Sequence, residues 1–159
     1  MSTHTPASHI KAPANMRVAI VRALWNGHIT SRLADSARKE LLAAGVAESD
    51  VATFEVPGAV ELTYAASQLI ESGLFDAVIV FGCVIRGETP HFDYVCQSVT
   101  QGITHLNSEC DIPVIFGVLT VDKESDALER AGGKHGDKGA EAAQAAVMMH
   151  RFTLEVNDM

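Results

Sequence analysis

The chain has 159 residues, an apolar fraction of 47% and a formal net charge of −8 at neutral pH. A chain of this length forms about one domain and can bury a core without disulfides or metals. Because an acidic surface repels phosphates, the charge argues against nucleic acid and anionic membranes as main partners. Three widely spaced cysteines, Cys83, Cys96 and Cys110, form no zinc pattern. They favour free thiols in a reducing cytoplasm, and a catalytic cysteine is the alternative.

The first segment, MSTHTPASHIKAPANM, lacks the apolar stretch of a secretory signal. No part of the chain approaches the ~20 consecutive apolar residues that a membrane span needs. The Ser, Thr, Pro and Ala content predicts a mobile arm over residues 1–15. Residues 16–159 contain no linker, repeat or low-complexity block, which predicts a single domain in a cytoplasmic protein.

Strands and helices alternate along the chain. Four short segments rich in apolar and β-branched residues are predicted strands: 17–23, 51–56, 75–82 and 114–121. Apolar residues at helical spacing and glycine stops predict helices over 30–44, 59–72, 90–109, 124–131 and 137–151. This alternation predicts an α/β fold, a three-layer, doubly wound sandwich around a four-stranded parallel sheet.

In such a sheet, ligands bind beyond the carboxyl ends of the strands. Trp25, the only tryptophan, follows the first strand, where it either stacks on a planar heterocycle or covers the sheet edge. After the second strand, Pro57-Gly58 predicts a tight turn that leads directly into a helix. Glu61 falls in the first turn of that helix, where it either accepts hydrogen bonds from ligand hydroxyls or caps the helix.

The segment after the third strand, GCVIRGETPHFDY, is the densest polar cluster in the chain. Thr89 is a suitable N-cap, which places His91 in the first turn of the next helix. The positive end of a helix favours a neutral imidazole, which can take and give protons near pH 7. The same helix end, with the amides of Glu88 and Thr89, forms an anion site. A lone histidine is usually a surface residue, but this position, with Arg86 beside it, favours proton transfer.

The fourth strand is followed by LERAGGKHGDKGAEAA, residues 128–143. Arg130 lies in the last turn of a short predicted helix, and Lys134 and Lys138 lie in a glycine-rich loop. Glycine with basic residues is compatible with phosphate binding. The spacing is not that of a phosphate-binding P-loop, and a solvated loop is the alternative.

Together these segments resemble the lumazine synthase family. The matching stretches, from about residue 16 to 150, are VPGAVEL, FDAVIVFGCVIRGETPHFDYV, IPVIFGVLT and ALERAGGKHGDKGAEAA. The resemblance implies a flavodoxin-like form of the sandwich. It also implies condensation of 5-amino-6-(D-ribitylamino)uracil with 3,4-dihydroxy-2-butanone 4-phosphate to 6,7-dimethyl-8-ribityllumazine, phosphate and water. This is the penultimate step of riboflavin biosynthesis, and it uses no metal or organic cofactor.

By position, the resemblance assigns one group of residues to the pyrimidine and its ribityl chain: Trp25, Ala59, Val60, Glu61, Cys83, Val84 and Ile85. Trp25 stands where the family usually has Phe, which preserves stacking in a tighter pocket. Val60 replaces a commonly bulkier residue, so its contact is expected through the backbone. Glu61 is expected to bind the ribityl hydroxyls.

The resemblance assigns a second group of residues to the butanone phosphate and the chemistry. Glu88 and Thr89 bind the phosphate, largely through backbone amides. His91 is the proton donor and acceptor. Phe116 packs against the ring, Arg130 binds the phosphate, and Lys138 supports it.

The resemblance further implies a homo-oligomer of pentamers with small-molecule substrates, and riboflavin synthase is a candidate partner. The loop GGKHGDKG lacks the insertion associated with free pentamers, so a closed shell of about 60 chains is expected. Phe116, Arg130 and Lys138 of one chain would complete the site of its neighbour.

Three other functions compete with this interpretation. The first is a non-catalytic flavin or lumazine carrier on the same scaffold, which intact His91 and Arg130 oppose. The second is a phosphorylated receiver domain, which needs acidic residues at the strand ends where LWNG and FGCV stand. The third is an archaeal-type riboflavin synthase, which uses two lumazines.

Overall fold

The computed structural model describes residues 10–159. Its main sheet has four parallel strands in the order β2-β1-β3-β4. The strands are β1 (Val18–Ala23), β2 (Val51–Val56), β3 (Ala77–Ile85) and β4 (Val114–Val121). The helices are α1 (Gly27–Ala43), α2 (Leu62–Glu71), α3 (His91–Glu109), α4 (Glu124–Arg130) and α5 (Lys138–Asn157). The predicted α/β class and parallel sheet are confirmed.

The sheet separates two hydrophobic clusters, as the alternation of side chains along a strand requires. Val18 and Ile20 of β1 face a cluster built with α1, α4 and α5. Ala19 and Val21 face the opposite cluster, built with α2 and α3. Both central strands are buried on each face, which accounts for their nearly continuous apolar sequences. The molecule is therefore the predicted three-layer sandwich.

Several boundaries differ from the sequence-based prediction. β3 runs to Ile85, and its pairing with β4 continues as far as Ile85 with Val121. A single 3₁₀ turn, Ala59–Glu61, precedes α2. Pro90, rather than Thr89, occupies the N-cap of α3, so His91 is the first helical residue.

The glycine-rich segment after α4 is not a plain loop. It contains a short antiparallel hairpin of β5 (Ala131–Gly133) and β6 (Gly136–Asp137). Gly132 and Gly136 have φ of 91° and 92°, a backbone conformation that glycine adopts without strain. Strands of two or three residues, here Ala-Gly-Gly and Gly-Asp, are too short to show an alternating pattern from which they could be predicted.

Residues 1–9 of the predicted arm lie outside the described residues. Within the remainder of that segment, Ala12 is buried and its backbone N–H donates to the Ala44 carbonyl at 2.8 Å, just past α1. The Arg151 guanidinium of α5 donates to the Lys11 carbonyl. This stretch therefore lies against the ends of α1 and α5. Within residues 10–159, no helix is long and apolar enough to cross a membrane.

The strand order creates a crevice between β1 and β3. The chain leaves β1 for α1 on one face of the sheet and leaves β3 for α3 on the other. The two loops consequently diverge at the carboxyl end of the sheet. This is the switch point at which doubly wound proteins bind ligands.

Candidate active site

A cavity of about 420 Å³, here called the switch-point cleft, opens where the loops after β1, β2 and β3 meet. Its lining is largely apolar, with an indole, an amide, a carboxylate and an imidazole at its polar positions. It is lined by Trp25, Asn26, Ala59, Val60, Glu61, Cys83, Val84, Ile85, His91 and Val95. The sequence-based prediction included all of these except Asn26 and Val95. The fold thus gathers into one cavity residues from the loop after β1, the turn after β2, the end of β3 and the start of α3.

Two backbone hydrogen bonds place Trp25 beside the turn after β2. The Leu24 N–H donates to Val56 O at 2.8 Å, and the Trp25 N–H donates to Pro57 O at 3.0 Å. These bonds continue the pairing of β1 with β2 past the ends of both strands. The indole itself is 67% exposed, so much of the ring is available for stacking.

Glu61 caps the turn and also lies at the cleft, so its capping does not exclude the predicted contact with ligand hydroxyls. Its Oε2 accepts a hydrogen bond from the Gly58 N–H at 3.1 Å, which caps the 3₁₀ turn. The same side chain lines the switch-point cleft. The turn therefore holds a carboxylate at the cleft wall, where ligand hydroxyls can donate to it.

Asn26 is a cleft residue that the sequence reasoning passed over. Its backbone is left-handed, with φ of 57°, and its side-chain amide donates to Cys83 O at 2.8 Å. This bond joins the loop after β1 to β3 across the switch point. Asparagine tolerates the left-handed region better than most residues, so Asn-Gly at a strand end was the available signal.

Cys83 forms part of the cleft wall as a neutral thiol. Burial, and secondarily the negative charge of Glu124, raise the pKa of Cys83 to about 11. Burial and the charge of Asp93 also raise the pKa of Cys96. Because the thiolate is the nucleophilic form, neither group suits covalent catalysis at neutral pH.

His91 begins α3 at the exposed rim of the cleft. The loop before it is held by Arg86, whose Nε donates to Asp122 Oδ1 at 2.7 Å and whose guanidinium lies 4.3 Å from the Phe92 ring centroid. The hydrogen bond to Asp122 raises the pKa of Arg86. Since Asp122 engages this guanidinium, Arg86 orients the loop. Glu88 and Thr89 are exposed in that loop and do not line the cleft.

The remaining predicted residues lie elsewhere on the chain. Phe116, Arg130 and Lys138 line a second cavity of about 420 Å³, the β4 cleft, between edge strand β4 and helix α5. Phe116 is 43% exposed on β4. Arg130 donates to Asp126 O at 2.7 Å, and Lys138 Nζ lies 2.7 Å from Glu141 Oε2. A single chain therefore divides the predicted residues, apart from Glu88 and Thr89, between two clefts.

Asp137 caps helix α5 immediately before Lys138, which lines the β4 cleft. Its Oδ1 accepts hydrogen bonds from the Gly139 and Ala140 N–H groups at 3.0 and 3.1 Å, which caps α5. Its Oδ2 accepts a hydrogen bond from Ser36 Oγ of α1. Lys138, the next residue, is thus anchored to both helices. Among the described residues, no group of three or more His, Cys, Asp or Glu side chains is arranged to hold a metal ion.

Comparison with known proteins decides the family. The family model for 6,7-dimethyl-8-ribityllumazine synthase matches residues 15–153, which include every residue of both clefts. The chain belongs to the lumazine synthase family. A lumazine synthase of Porphyromonas gingivalis is 53% identical over 135 residues, covering 85% of this chain and 84% of the relative. One of Parabacteroides distasonis is 50% identical over 140 residues, covering 88% of each chain. One of Bacteroides fragilis is 47% identical over 142 residues, covering 89% of this chain and 99% of the relative.

Proposed function

We propose that this chain is a 6,7-dimethyl-8-ribityllumazine synthase of riboflavin biosynthesis. It joins 5-amino-6-(D-ribitylamino)uracil to 3,4-dihydroxy-2-butanone 4-phosphate and releases the lumazine, phosphate and water. One observation carries the proposal. In this member of the lumazine synthase family, the exposed indole of Trp25, the carboxylate of Glu61 and the imidazole of His91 line the same switch-point cleft.

The pyrimidine substrate occupies the switch-point cleft. Its ring stacks on Trp25, while the apolar walls at Cys83, Val84 and Ile85 exclude water from the other side. Glu61 accepts hydrogen bonds from the ribityl hydroxyls. Ala59 and Val60, in the same 3₁₀ turn, contact this substrate through their backbone.

The chemistry is proximity combined with proton transfer. The 5-amino group of the pyrimidine attacks the ketone of the butanone phosphate, and water leaves as the imine forms. Loss of the proton on C3 then expels phosphate from C4 and leaves an enol, which tautomerises to a new ketone at C3. Attack by the ribityl-bearing nitrogen on this ketone closes the ring with loss of a second water. His91, at the rim of the cleft, takes and returns the protons of these steps.

The phosphate of the second substrate lies between two subunits. The amides of Glu88 and Thr89, next to the N-terminus of α3, supply donors from one chain. Arg130 and Lys138 supply positive charge from the neighbouring chain, whose Phe116 packs against the ring. The separation of the two clefts on one chain supports this sharing, because the three residues of the β4 cleft would otherwise have no part in the reaction.

The subunits associate head to tail in rings of five, and the rings close into a shell of about 60 chains. An interface between subunits is supported by two exposed features, the free edge of β4 and the apolar side chains of Met148, Met149 and Phe152 on α5. Multi-angle light scattering tests the size. A mass near that of five chains would reject the shell but not the ring.

Three smaller assignments accompany this function. Residues 16–159 form the catalytic domain, and residues 1–15 form an arm. The enzyme works in the cytoplasm, as its three free cysteines suggest. Riboflavin synthase, which consumes the lumazine, is a candidate partner, and co-purification of the two proteins tests that assignment.

Mixing the protein with both substrates tests the function directly. Fluorescence of the lumazine should rise well above the rate of the same mixture without protein. A protein that binds lumazine without accelerating its formation would be a carrier. A protein that converts two lumazines to riboflavin would be a riboflavin synthase. Chromatography of the products separates these outcomes.

A further inference from the structure

Trp25 lies directly against the backbone of Gly58. A methyl group added at Gly58 would lie 2.6 Å from Cζ3 of the indole and closer still to Cε3. Real methyl carbons essentially never approach another heavy atom this closely, so one of the two groups would have to move. Gly58 is buried, although the indole beside it is largely exposed to the cleft.

The glycine is not required by the backbone. Gly58 has φ of −141° and ψ of −176°, an extended conformation that any residue adopts. Its N–H donates to Glu61 Oε2, and an alanine would keep that donor. A side chain would therefore collide first with the six-membered ring of Trp25, and it would crowd Glu61 Oε2 less severely, at 3.3 Å, so the indole is the group that would be displaced most.

We propose that Gly58 is a positioning residue: its bare Cα seats the Trp25 indole and sets the pose in which that ring stacks on the pyrimidine. The inference rests on the proposed function. An indole that is 67% exposed has few contacts to hold it, and immobilising such a side chain on binding costs conformational entropy. Two interactions order the ring before the substrate arrives: the contact with Gly58 and the hydrogen bond from the Trp25 N–H to the Pro57 carbonyl.

The contact is specific to the indole. The atoms that approach Gly58, Cε3 and Cζ3, lie on the benzo ring of the indole, whereas phenylalanine carries one smaller ring attached at a different angle. A side chain at position 58 should therefore disturb a tryptophan at position 25 more than a phenylalanine. This difference makes the two positions suitable for a double-mutant cycle.

The test uses Gly58→Ala, Trp25→Phe and the double variant. Because Trp25 is the only tryptophan, near-ultraviolet circular dichroism at 290–300 nm of the ligand-free protein reports its surroundings alone. Gly58→Ala should change that signal. It should also raise KM for the pyrimidine substrate about tenfold, the low end of overpacking effects, with kcat and the KM of the butanone phosphate within about twofold. In the Trp25→Phe background the same substitution should change KM by less than about twofold.

Gly27→Ala is the matched control. It lies two residues from Trp25, and its added methyl would meet only Arg22 at an ordinary 3.7 Å, so it should leave both readouts unchanged. Equal effects of Gly58→Ala in the two backgrounds, or an unchanged pyrimidine KM, would overturn the inference. If Gly58→Ala does not fold, folding of the double variant supports the clash with the indole, and failure of both variants refutes it. A wild-type protein that makes no lumazine would refute the proposed function instead, because the dichroism does not depend on catalysis.

Discussion

His91 is the residue on which the proposed chemistry most depends. We expect His91→Ala to lower kcat for lumazine formation by about 10²-fold, at the low end of the range typical of one acid–base group. The side chain is exposed at the start of α3, so the melting temperature should change little. Steady-state kinetics beside a thermal melt checks both points. A variant with wild-type kcat would show that another group transfers the proton.

Arg130 should contribute to the binding of the butanone phosphate and not to that of the pyrimidine. Arginine offers a planar fork that suits two contacts to a phosphate, and lysine does not. Arg130→Lys should therefore raise KM for the butanone phosphate by about tenfold and leave KM for the pyrimidine nearly unchanged. Varying each substrate at saturation of the other provides the measurement. Equal increases in both constants would be incompatible with a phosphate contact.

Cys83 should contribute to the pH dependence of stability. Its pKa is raised to about 11 in the folded chain, whereas an exposed thiol titrates near 8.5. Between these values the folded state holds a proton that the unfolded state has lost, so the free energy of unfolding falls as pH rises through this window. Urea unfolding at pH 8 and pH 10 should show a larger decrease for the wild type than for Cys83→Ala. Equal decreases would mean that this thiol is not the source.

At the scale of residues, the sequence predicted the proposed substrate-binding and catalytic side chains more readily than the side chains that hold the surrounding segments in place. Trp25, Glu61 and His91 stood out because they follow predicted strands, where ligands bind in such folds. Asn26 and the bond of Asp137 to Ser36 were missed because they depend on partners far along the chain, whereas the capping of α5 by Asp137 is local, and an Asp at the start of a predicted helix was its signal. Asn26 bonds to Cys83, and Asp137 bonds to Ser36, 101 positions away. Local patterns do not encode such pairs.

At the scale of elements, the N-terminus of α5 is the point where a single cap should matter most. Asp137→Ala removes acceptors from two backbone N–H groups and from Ser36, and should lower the free energy of unfolding by about 1 kcal/mol, within a usual range of 0.5–2. Urea titration measures the loss. Asp35→Ala removes the same side chain from an exposed position in α1 and should stay within about 0.5 kcal/mol. A similar loss in both variants would point to charge rather than capping.

The extent of β3 shows why element boundaries were harder to predict than element types. Gly82 suggested the end of that strand, yet pairing with β4 continues for three more residues. A methyl group at Gly82 would lie 3.2 Å from Leu62 of α2, so this glycine allows a helix to approach the sheet. The predicted end of α5 at residue 151 was also early, because no Gly or Pro interrupts the helix before Asn157.

At the scale of the whole molecule, the alternation of strands and helices was sufficient to predict the sandwich. It was not sufficient to show which predicted residues share a cavity. Phe116, Arg130 and Lys138 lie in a different cleft from His91, because their cleft is formed between β4 and α5, whereas α3, which carries His91, packs on the opposite face of the sheet. A site that joins two copies of a chain is a property of the assembly, and the pattern of one sequence has no direct sign of it.

Mixed assemblies test the proposed sharing of the site between two chains. We expect His91→Ala and Arg130→Ala, each with little activity alone, to recover about a quarter of wild-type activity when refolded together in equal amounts. Random mixing in a head-to-tail ring makes roughly one interface in four carry both intact halves. Activity is measured on rings whose mixed composition mass spectrometry has verified.

The control for mixed assembly is the same pair of variants folded separately and then combined, which should show no gain unless subunits exchange. Verified mixed rings with no more activity than the separate variants would place the whole site within one chain.

The hydrogen bond from Asn26 to the Cys83 carbonyl should also affect the kinetics of ligand binding. It joins two segments that lead to opposite faces of the sheet, so the switch-point cleft has its width before any ligand arrives. A ligand that enters a ready-made cleft does not wait for the protein to rearrange. In a stopped-flow experiment, the observed rate of pyrimidine association should therefore rise in proportion to concentration without reaching a plateau.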